Sequence, residues 1–527
     1  MPSVADYAIP NPVSRNRAGN IGKAADRYEG PLKVSGTAPY AHEVETPSPP
    51  AYGVMIGAEI GSGEVEAVDA AAAEASPGVL FVWSPFKAPP QARRGTRANP
   101  HSQAAAEPVF ADARVLFFGQ PVAFVCAETW EAARAAADLV AIRYRAAPGA
   151  EFLFDRQAGE VPAGDEDSRV GDFEAAFAAA PVRLDETYTT PVQNHCQMEP
   201  CATTAWWEGE RLVVHTSNQS LKRPQHLLAE TLQIDRANVH LLSRYIGGGF
   251  GGKGPSYEDL TLAALASREL GGRPVKVAFT RQQMFQASIH RPATVQRVRL
   301  GATADGRLTA LALEATTHCA REDLFTEHAA SFARSLYAAP NRLTGHRRVR
   351  MDLPVAGAMR APGEAVGMMS LEAAMDELAE RLGLDPLELR LRNEPDRHPE
   401  TGAPFSARQL VECMKDGAER FGWSRRNPRP GQVRDGDWLV GMGMAAAIRG
   451  NFLLPAKAAM RLEPDGTVTV RQGMTDIGTG TYTILAQIAA ETMGVPLELV
   501  TVELGDSGFA PAPGSGGQFG AASAGSA

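Results

Sequence analysis

The stretch that most constrains this chain is Gly247-Gly248-Gly249-Phe250-Gly251-Gly252-Lys253-Gly254. An apolar run, Val239–Ile246, leads into it, and a helical pattern, Tyr257–Leu270, follows. Strand, glycine loop and helix in that order turn free backbone N–H groups toward one point, which suits an anion. Side chains in such a loop would block a ligand's approach, and its tight path calls for backbone angles that glycine adopts freely. Ser256, with Asp259 three residues on, has the form of a capping box opening the helix. Three readings compete. Gly247, Gly249 and Gly252 fit the dinucleotide pattern GxGxxG, but no acidic residue ends the next strand, Val275–Thr280, which runs into Arg281. Gly247 to Lys253 fit GxxxxGK, but Gly254 stands where a magnesium-binding Ser or Thr belongs. A glycine hinge packed closely on a neighbouring strand is the third.

Two more loops change the balance. Asp476-Ile477-Gly478-Thr479-Gly480 lies between a strand, Val468–Gln472, and a helix, Tyr482–Met493. Ala512–Gly520, with five glycines or serines between Gly514 and Gly520, follows the strand Leu497–Leu504. Three N–H-rich turns in one chain point to a large anionic ligand held from several sides. Arg360, in Met359-Arg360-Ala361-Pro362-Gly363, precedes the amphipathic helix Glu364–Leu382. An arginine there can fork onto a phosphate or a polar heterocycle, or it can pair with Glu364.

Composition removes whole classes. With 52 basic and 61 acidic residues, a net charge of −9 disfavours a nucleic-acid partner. No apolar run approaches a membrane span, and MPSVADYAIPNP lacks the basic start and apolar block of a signal peptide. The five cysteines include no CxxC pair, so iron–sulfur clusters are not expected on this chain. Cys196 and Cys201 with His195 and Glu199 meet metal-ligand spacing only loosely, and small buried thiols on a strand edge are the plainer reading.

At roughly 150 residues per domain, 527 residues allow about 3.5 domains. The pattern divides as an N-terminal arm (1–29), an α+β unit (30–150), an acidic, alanine-rich linker (151–181), a mixed α/β unit (182–400) and a further unit (401–527). In the first unit, strands are expected at Gly53–Ile56, Val79–Val82, Pro121–Cys126 and Val140–Tyr144, a helix at Glu131–Leu139 and a long loop at Pro89–His101.

These residues carry a resemblance. Ile246–Lys253, with Thr216-Ser217-Asn218-Gln219 upstream and Met359–Ala365 downstream, resembles the molybdenum-cofactor subunit of the xanthine dehydrogenase/aldehyde oxidase family. The start, Ile21-Gly22-Lys23 through Gly36, is similar too. The similarity runs along nearly the whole chain, and Arg360–Ala365 resembles the bacterial aldehyde oxidoreductase branch. It implies an α+β fold, an α/β hammerhead domain followed by molybdenum-cofactor-binding α/β domains, the last one truncated.

The resemblance also implies chemistry: hydroxylation of an aldehyde or N-heterocycle with water as oxygen source, at molybdenum held through a pterin dithiolene rather than by protein ligands. Plain molybdopterin and its cytosine dinucleotide form are both open. Electrons would pass to [2Fe–2S] clusters and FAD on partner subunits. By the same resemblance Gln219 bonds a molybdenum oxo ligand, Phe250 and Gly251 lie at the metal with the Gly251 amide as a donor, and Gly249 binds the cofactor. Arg360 binds the pterin, and Gly478, Thr479, Gly480 and Gly520-Ala521-Ala522-Ser523 donate to pterin and phosphate. Location is expected to be cytoplasmic, or periplasmic by a partner's signal.

Three departures stand out. Gly254 replaces the glutamate of the purine-oxidising branch, and His328 stands nearest to its substrate-clamping arginine, which favours an uncharged aldehyde. Thr479 replaces a common glutamine. The family's catalytic glutamate is expected beyond Ala527, so the isolated chain is expected to be inactive, and the strand Leu497–Leu504 to lack partners. A catalytically silent binding or assembly protein and an NAD(P)-dependent dehydrogenase are the alternatives.

Overall fold

The computed structural model describes residues 12–92, 108–154, 159–162, 165–323, 325–451, 453–516 and 518–527. The loop expected over 89–101 lies outside the described residues from position 93 onward. The fold is mixed α/β, and its largest sheet has seven strands. Their spatial order is Val239–Leu242, Arg211–Thr216, Ala202–Glu208, Val275–Ala278, Ala51–Gly57, Pro121–Ala127 and Val79–Trp83. Ala51–Gly57 runs parallel to Val275–Ala278, with Ala51 opposite Val275. The hammerhead part and the part that follows therefore share one sheet.

Helix Glu258–Glu269 lies on that sheet and is buried from Asp259 to Ser267. The expected capping box at its start does not form. Tyr257 is the N-cap without a side-chain bond. Asp259, 3% exposed, instead accepts a hydrogen bond from Thr203 Oγ1 at 2.7 Å. Burial pushes its carboxyl up to about 6. A complete capping box occurs one helix later, between Thr280 and Gln283.

The second large sheet orders Ser168–Val170, Asn341–Met351, Leu308–Ala320, Thr294–Ala302 and Val182–Thr190. Helix Glu364–Leu382 covers it, burying Val366, Leu371, Ala374, Met375 and Leu378 against Val298, Leu300 and Leu313. Stretch 151–181 is more than the tether expected from its composition, since Ser168–Val170 joins this sheet and Phe173–Ala179 packs as a helix. The strands Val182–Thr190 and Asn341–Met351 have no counterpart in the sequence reading, because both alternate charge with small or apolar residues. Their charges are paired across the sheet or with neighbouring loops: Arg297 with Asp185, Arg347 with Asp167, Arg348 with Glu160.

In the last unit Ala459–Leu462 pairs antiparallel with Val468–Gln472, which runs parallel to Val500–Leu504. The expectation of an unpartnered strand at 497–504 therefore fails: 497–499 form a 3₁₀ turn, and the rest has a partner. This small sheet is fastened to the edge of the large one. Ser243 N donates to Gly505 O at 2.7 Å, Ser507 N to Leu241 O at 2.9 Å, and His240 Nε2 lies 2.9 Å from Asp506 Oδ1.

The N-terminal arm folds back across the chain. Glu491, on helix Thr481–Met493, accepts the amides of Ala18 and Asn20, each at 3.0 Å. Gln487 donates to the carbonyls of Asn20 and Lys23, and Tyr28 N to Thr483 Oγ1. No helix among the described residues is long and apolar enough to cross a membrane.

Candidate functional site

Two parallel strand pairs set the site. Arg211–Thr216 lies beside Val239–Leu242, and Val468–Gln472 beside Val500–Leu504. The segments leaving their carboxyl ends carry Gln219, the 247–254 glycine loop, the 476–480 turn and the 512–516 loop. The carboxyl ends of parallel strands are where α/β sheets leave a crevice for a ligand.

Gln219 knots three of these segments together. Its Oε1 accepts the amides of Gly251 (3.0 Å) and Lys253 (3.3 Å), and its Nε2 donates to Ser515 O at 2.5 Å. Its main chain accepts from Thr475 Oγ1 and Ser515 N, both at 2.8 Å, and donates to Lys253 O at 2.8 Å. Two of the sequence-predicted donors, the Gly251 amide and one Gln219 N–H, thus meet partners within the protein. The second hydrogen on Gln219 Nε2 is left to a ligand. Gly249 is pressed against this side chain, where a Cβ would lie 2.5 Å from Oε1.

Lys253 is fully buried and pairs with Glu199 at 2.6 Å, so it cannot serve a phosphate as the GxxxxGK reading requires. Glu199 also accepts the Gly247 amide at 2.7 Å. His195 turns its two ring nitrogens to Ile289 O and Ala358 O, at 3.1 and 3.0 Å. Of the two thiols expected to be buried, Cys201 is and Cys196 is exposed, and these four residues are not grouped as metal ligands.

Phe250 projects from the loop, 40% exposed, and its carbonyl accepts the Arg360 amide at 2.8 Å. Arg360 is exposed, and its guanidinium meets no acceptor among the described residues. The alternative ion pair with Glu364 is not made, because Glu364 pairs with Arg449 at 2.8 Å. Arg291 and Glu327, which no motif marks, converge on the same turn. In the 476–480 turn, Asp476 takes the amides of Gly478 and Thr481, both at 2.6 Å, and Arg27 of the arm donates to Gly478 O at 2.9 Å.

With the geometry in view, three family models match: an aldehyde oxidase and xanthine dehydrogenase a/b hammerhead domain over 35–148, and molybdopterin cofactor-binding domains over 155–394 and 416–527. The aldehyde oxidoreductase molybdenum-binding subunit PaoC of Escherichia coli (strain K12) is 47% identical over 515 residues, spanning 97% of this chain and 69% of that one. The chain belongs to the xanthine dehydrogenase/aldehyde oxidase family. A putative xanthine dehydrogenase molybdenum-binding subunit, XdhA of the same organism, is 29% identical, with 90% and 66% covered. Among solved structures, quinoline 2-oxidoreductase from Pseudomonas putida 86 superposes with a TM-score of 0.84 at 23% identity, over 95% of this chain and 68% of that one. Aldehyde oxidoreductase from Desulfovibrio gigas gives 0.78 at 24%, over 93% and 57%. Both show a shared fold.

The family's cofactor can be tested against the cradle. The loops are packed hard on the protein side: a Cβ on Gly251 would lie 2.1 Å from Ala358 O. On the other side they are open, since a Cβ on Gly478 would meet nothing within 4 Å. Amides, one carboxamide and a free guanidinium are donors, which suits the acceptor-rich oxo, pterin and phosphate groups of this family's cofactor. One expected segment differs. Gly520–Ser523 is not a loop but part of helix Gln518–Ser526. Only Gly520 falls among the first four amides that a helix leaves free. Ser523 Oγ bonds Phe519 O at 2.6 Å and the Leu454 amide at 2.9 Å.

His328 is not free to act as a clamp through Nδ1, which lies 3.2 Å from Asp165 Oδ2. His346 Nδ1 meets the same oxygen at 2.9 Å. Burial pushes the Asp165 carboxyl up, but the two imidazole hydrogen bonds outweigh it and hold it well below its usual range. These three residues are the one metal-like cluster among the described residues. However, Ala330 N donates into His346 Nε2 at 3.0 Å, so His346 Nδ1 carries the proton and is not a ligand.

Proposed function

We propose that this chain is the molybdenum-cofactor-binding subunit of a molybdenum hydroxylase that oxidises small, uncharged aldehydes. The convergence of Gln219, Gly249–Gly251 and Gly478–Gly480 at the ends of two parallel strand pairs, with Arg360 bonded to Phe250 O beside them, carries this reading. When bound, the cofactor supplies a two-electron centre for hydroxylation with water as oxygen source. The chain's own part is binding and orientation. Gln219 Nε2 and the amides of Thr479 and Gly480 donate to its acceptor groups, Arg360 holds its pterin, and Phe250 walls the substrate side. Gly254 and the carboxylate-bound His328 leave no evident clamp for a charged substrate, which favours aldehydes over purines.

We propose further that the cofactor is molybdenum-molybdopterin, in its plain or its cytosine dinucleotide form, and that [2Fe–2S] and FAD subunits take the electrons. Turnover needs a carboxylate within hydrogen-bond reach of the attacking oxygen. Glu199, Glu327 and Glu364 are tied to Lys253, the Gly363 amide and Arg449. The isolated 527-residue polypeptide is therefore expected to hold cofactor without turning over. The test is molybdenum and nucleotide analysis with a dye-coupled aldehyde assay, on the chain alone and co-expressed with iron–sulfur and flavin subunits. A chain that retains no molybdenum overturns the cofactor assignment, and brisk oxidation by the chain alone overturns the expected inactivity.

A further inference from the structure

The turn that presents Arg360 is held in a conformation it would not keep by itself. Ala361 sits at φ +59° and Phe250 at φ +54°, in the left-handed region that non-glycine residues seldom enter. The Arg360 amide, donating to Phe250 O, links the two. Strained geometry of this kind persists only where neighbouring groups over-determine it.

Here one side chain supplies most of that restraint. Arg291 is 5% exposed. Its Nη2 donates to Met359 O at 2.5 Å and Arg360 O at 2.7 Å and reaches Ala361 O at 3.4 Å, while Nη1 donates to Gln193 Oε1 at 2.9 Å. The short strand His290–Arg291 is itself anchored, by pairing with Gln193–Asn194 and by the Gly357 amide on His290 O at 2.8 Å. From the other end of the turn, the Glu327 carboxylate accepts the Gly363 amide. A cation thus gathers the turn's carbonyls through charge-assisted bonds, and a buried carboxyl group takes its amide. The guanidinium is committed to the turn's main-chain oxygens and to Gln193 Oε1, so its influence on a ligand runs through Arg360 and Phe250.

We propose that Arg291 is a positioning residue of the cofactor site, fixing the Met359–Ala361 turn so that Arg360 and Phe250 keep their places at the rim. This rests on the cofactor reading above. Lysine would replace it only in part, because one ammonium can meet the carbonyls that Nη2 meets but not also Gln193 Oε1, which Nη1 holds.

Arg408 provides a control, since it too donates to consecutive carbonyls, from Nη1 to Ser335 O (3.1 Å) and from Nη2 to Leu336 O (2.8 Å), with Glu394 as counter-ion, and touches none of the cradle residues. The full chain is compared as wild type, Arg291→Gln, Arg291→Lys and Arg408→Gln. Two readouts are taken: hydrogen exchange over 356–363 without cofactor, and molybdenum and pterin per chain after expression with a cofactor supply. Arg291→Gln should speed exchange in that segment at least about tenfold, the worth of one charge-assisted bond. It should lower molybdenum content by roughly tenfold or more, as loss of an outer-shell support does. Arg291→Lys should fall between, and Arg408→Gln should match wild type in both. Unchanged exchange in Arg291→Gln, or equal molybdenum loss in Arg408→Gln, overturns the proposal. If Arg291→Gln does not fold, Arg291→Lys decides by the same two readouts. A wild-type chain without molybdenum would instead sink the cofactor reading, while exchange would still decide what supports the turn.

Discussion

At the level of single residues, the site is a set of exchanges between buried polar groups, and the consequences are measurable. Gln219→Leu keeps most of the volume but strands the amides of Gly251 and Lys253. It should cost about 1–3 kcal/mol in a denaturant titration and lower molybdenum retention. Glu327 gives a pH signature. Burial, only partly offset by the Gly363 amide and Arg291, raises its carboxyl from the ordinary 4.5 to about 7. Between those values the folded chain holds a proton that the unfolded chain has released, so this group's contribution to stability falls as pH rises from 4.5 to 7. Glu327→Gln, whose amide oxygen can still accept from Gly363, should flatten that part of a urea-midpoint-against-pH curve; an unchanged slope would refute the assignment. Gln219, Phe250, Gly251 and Arg360 were legible in the sequence because they sit in short motifs. Arg291, Glu327 and Asp165 were not, because each acts on backbone or side chains that are distant along the chain and bears no local pattern.

At the level of elements, the glycine loop divides into positions jammed by neighbours and positions open to a ligand. Gly251→Ala would place a Cβ 2.1 Å from Ala358 O at φ +103°. It should destabilise by about 3 kcal/mol or more, combining overpacking with backbone strain. Gly478→Ala meets no atom within 4 Å, so only its φ of +98° is felt. It should cost about 1–2 kcal/mol, and thermal unfolding of the two variants side by side would expose the difference. Helix Glu364–Leu382 was legible to the residue because its apolar spacing and the Pro362-Gly363 turn agree. The strands Val182–Thr190 and Asn341–Met351 were not, since their hydrophobic alternation is interrupted by arginines and acids whose partners only the sheet reveals. The alanine-rich stretch 151–181 hid a strand and a helix for the opposite reason, as low sequence contrast masks a real periodicity.

At the level of the whole molecule, three unions hold the parts together: the shared seven-stranded sheet, the small sheet fastened to its edge, and the arm clasped on helix Thr481–Met493. Glu491→Ala removes the acceptor for the Ala18 and Asn20 amides. Trypsin should then cut faster after Arg15, Arg17 and Lys23, while the tryptic pattern of the 182–400 region stays as in the wild type; equal cutting of wild type and variant would show that the clasp is not what holds the arm. The division into a hammerhead part and cofactor-binding parts was legible from the order of motifs. The sharing of strands between them was not, because parallel pairing of Ala51 with Val275 spans more than two hundred positions that no local signal connects. The clasp also orders events in time. Ala18 and Glu491 are separated by 473 positions. At 5–20 residues per second, the arm waits roughly half a minute to a minute and a half for its anchor to be made. The cradle's walls at 476–480 and 512–516 are made at the same late stage as that anchor. A cofactor held from several sides therefore enters only after synthesis has passed position 516, when the arm already has its partner.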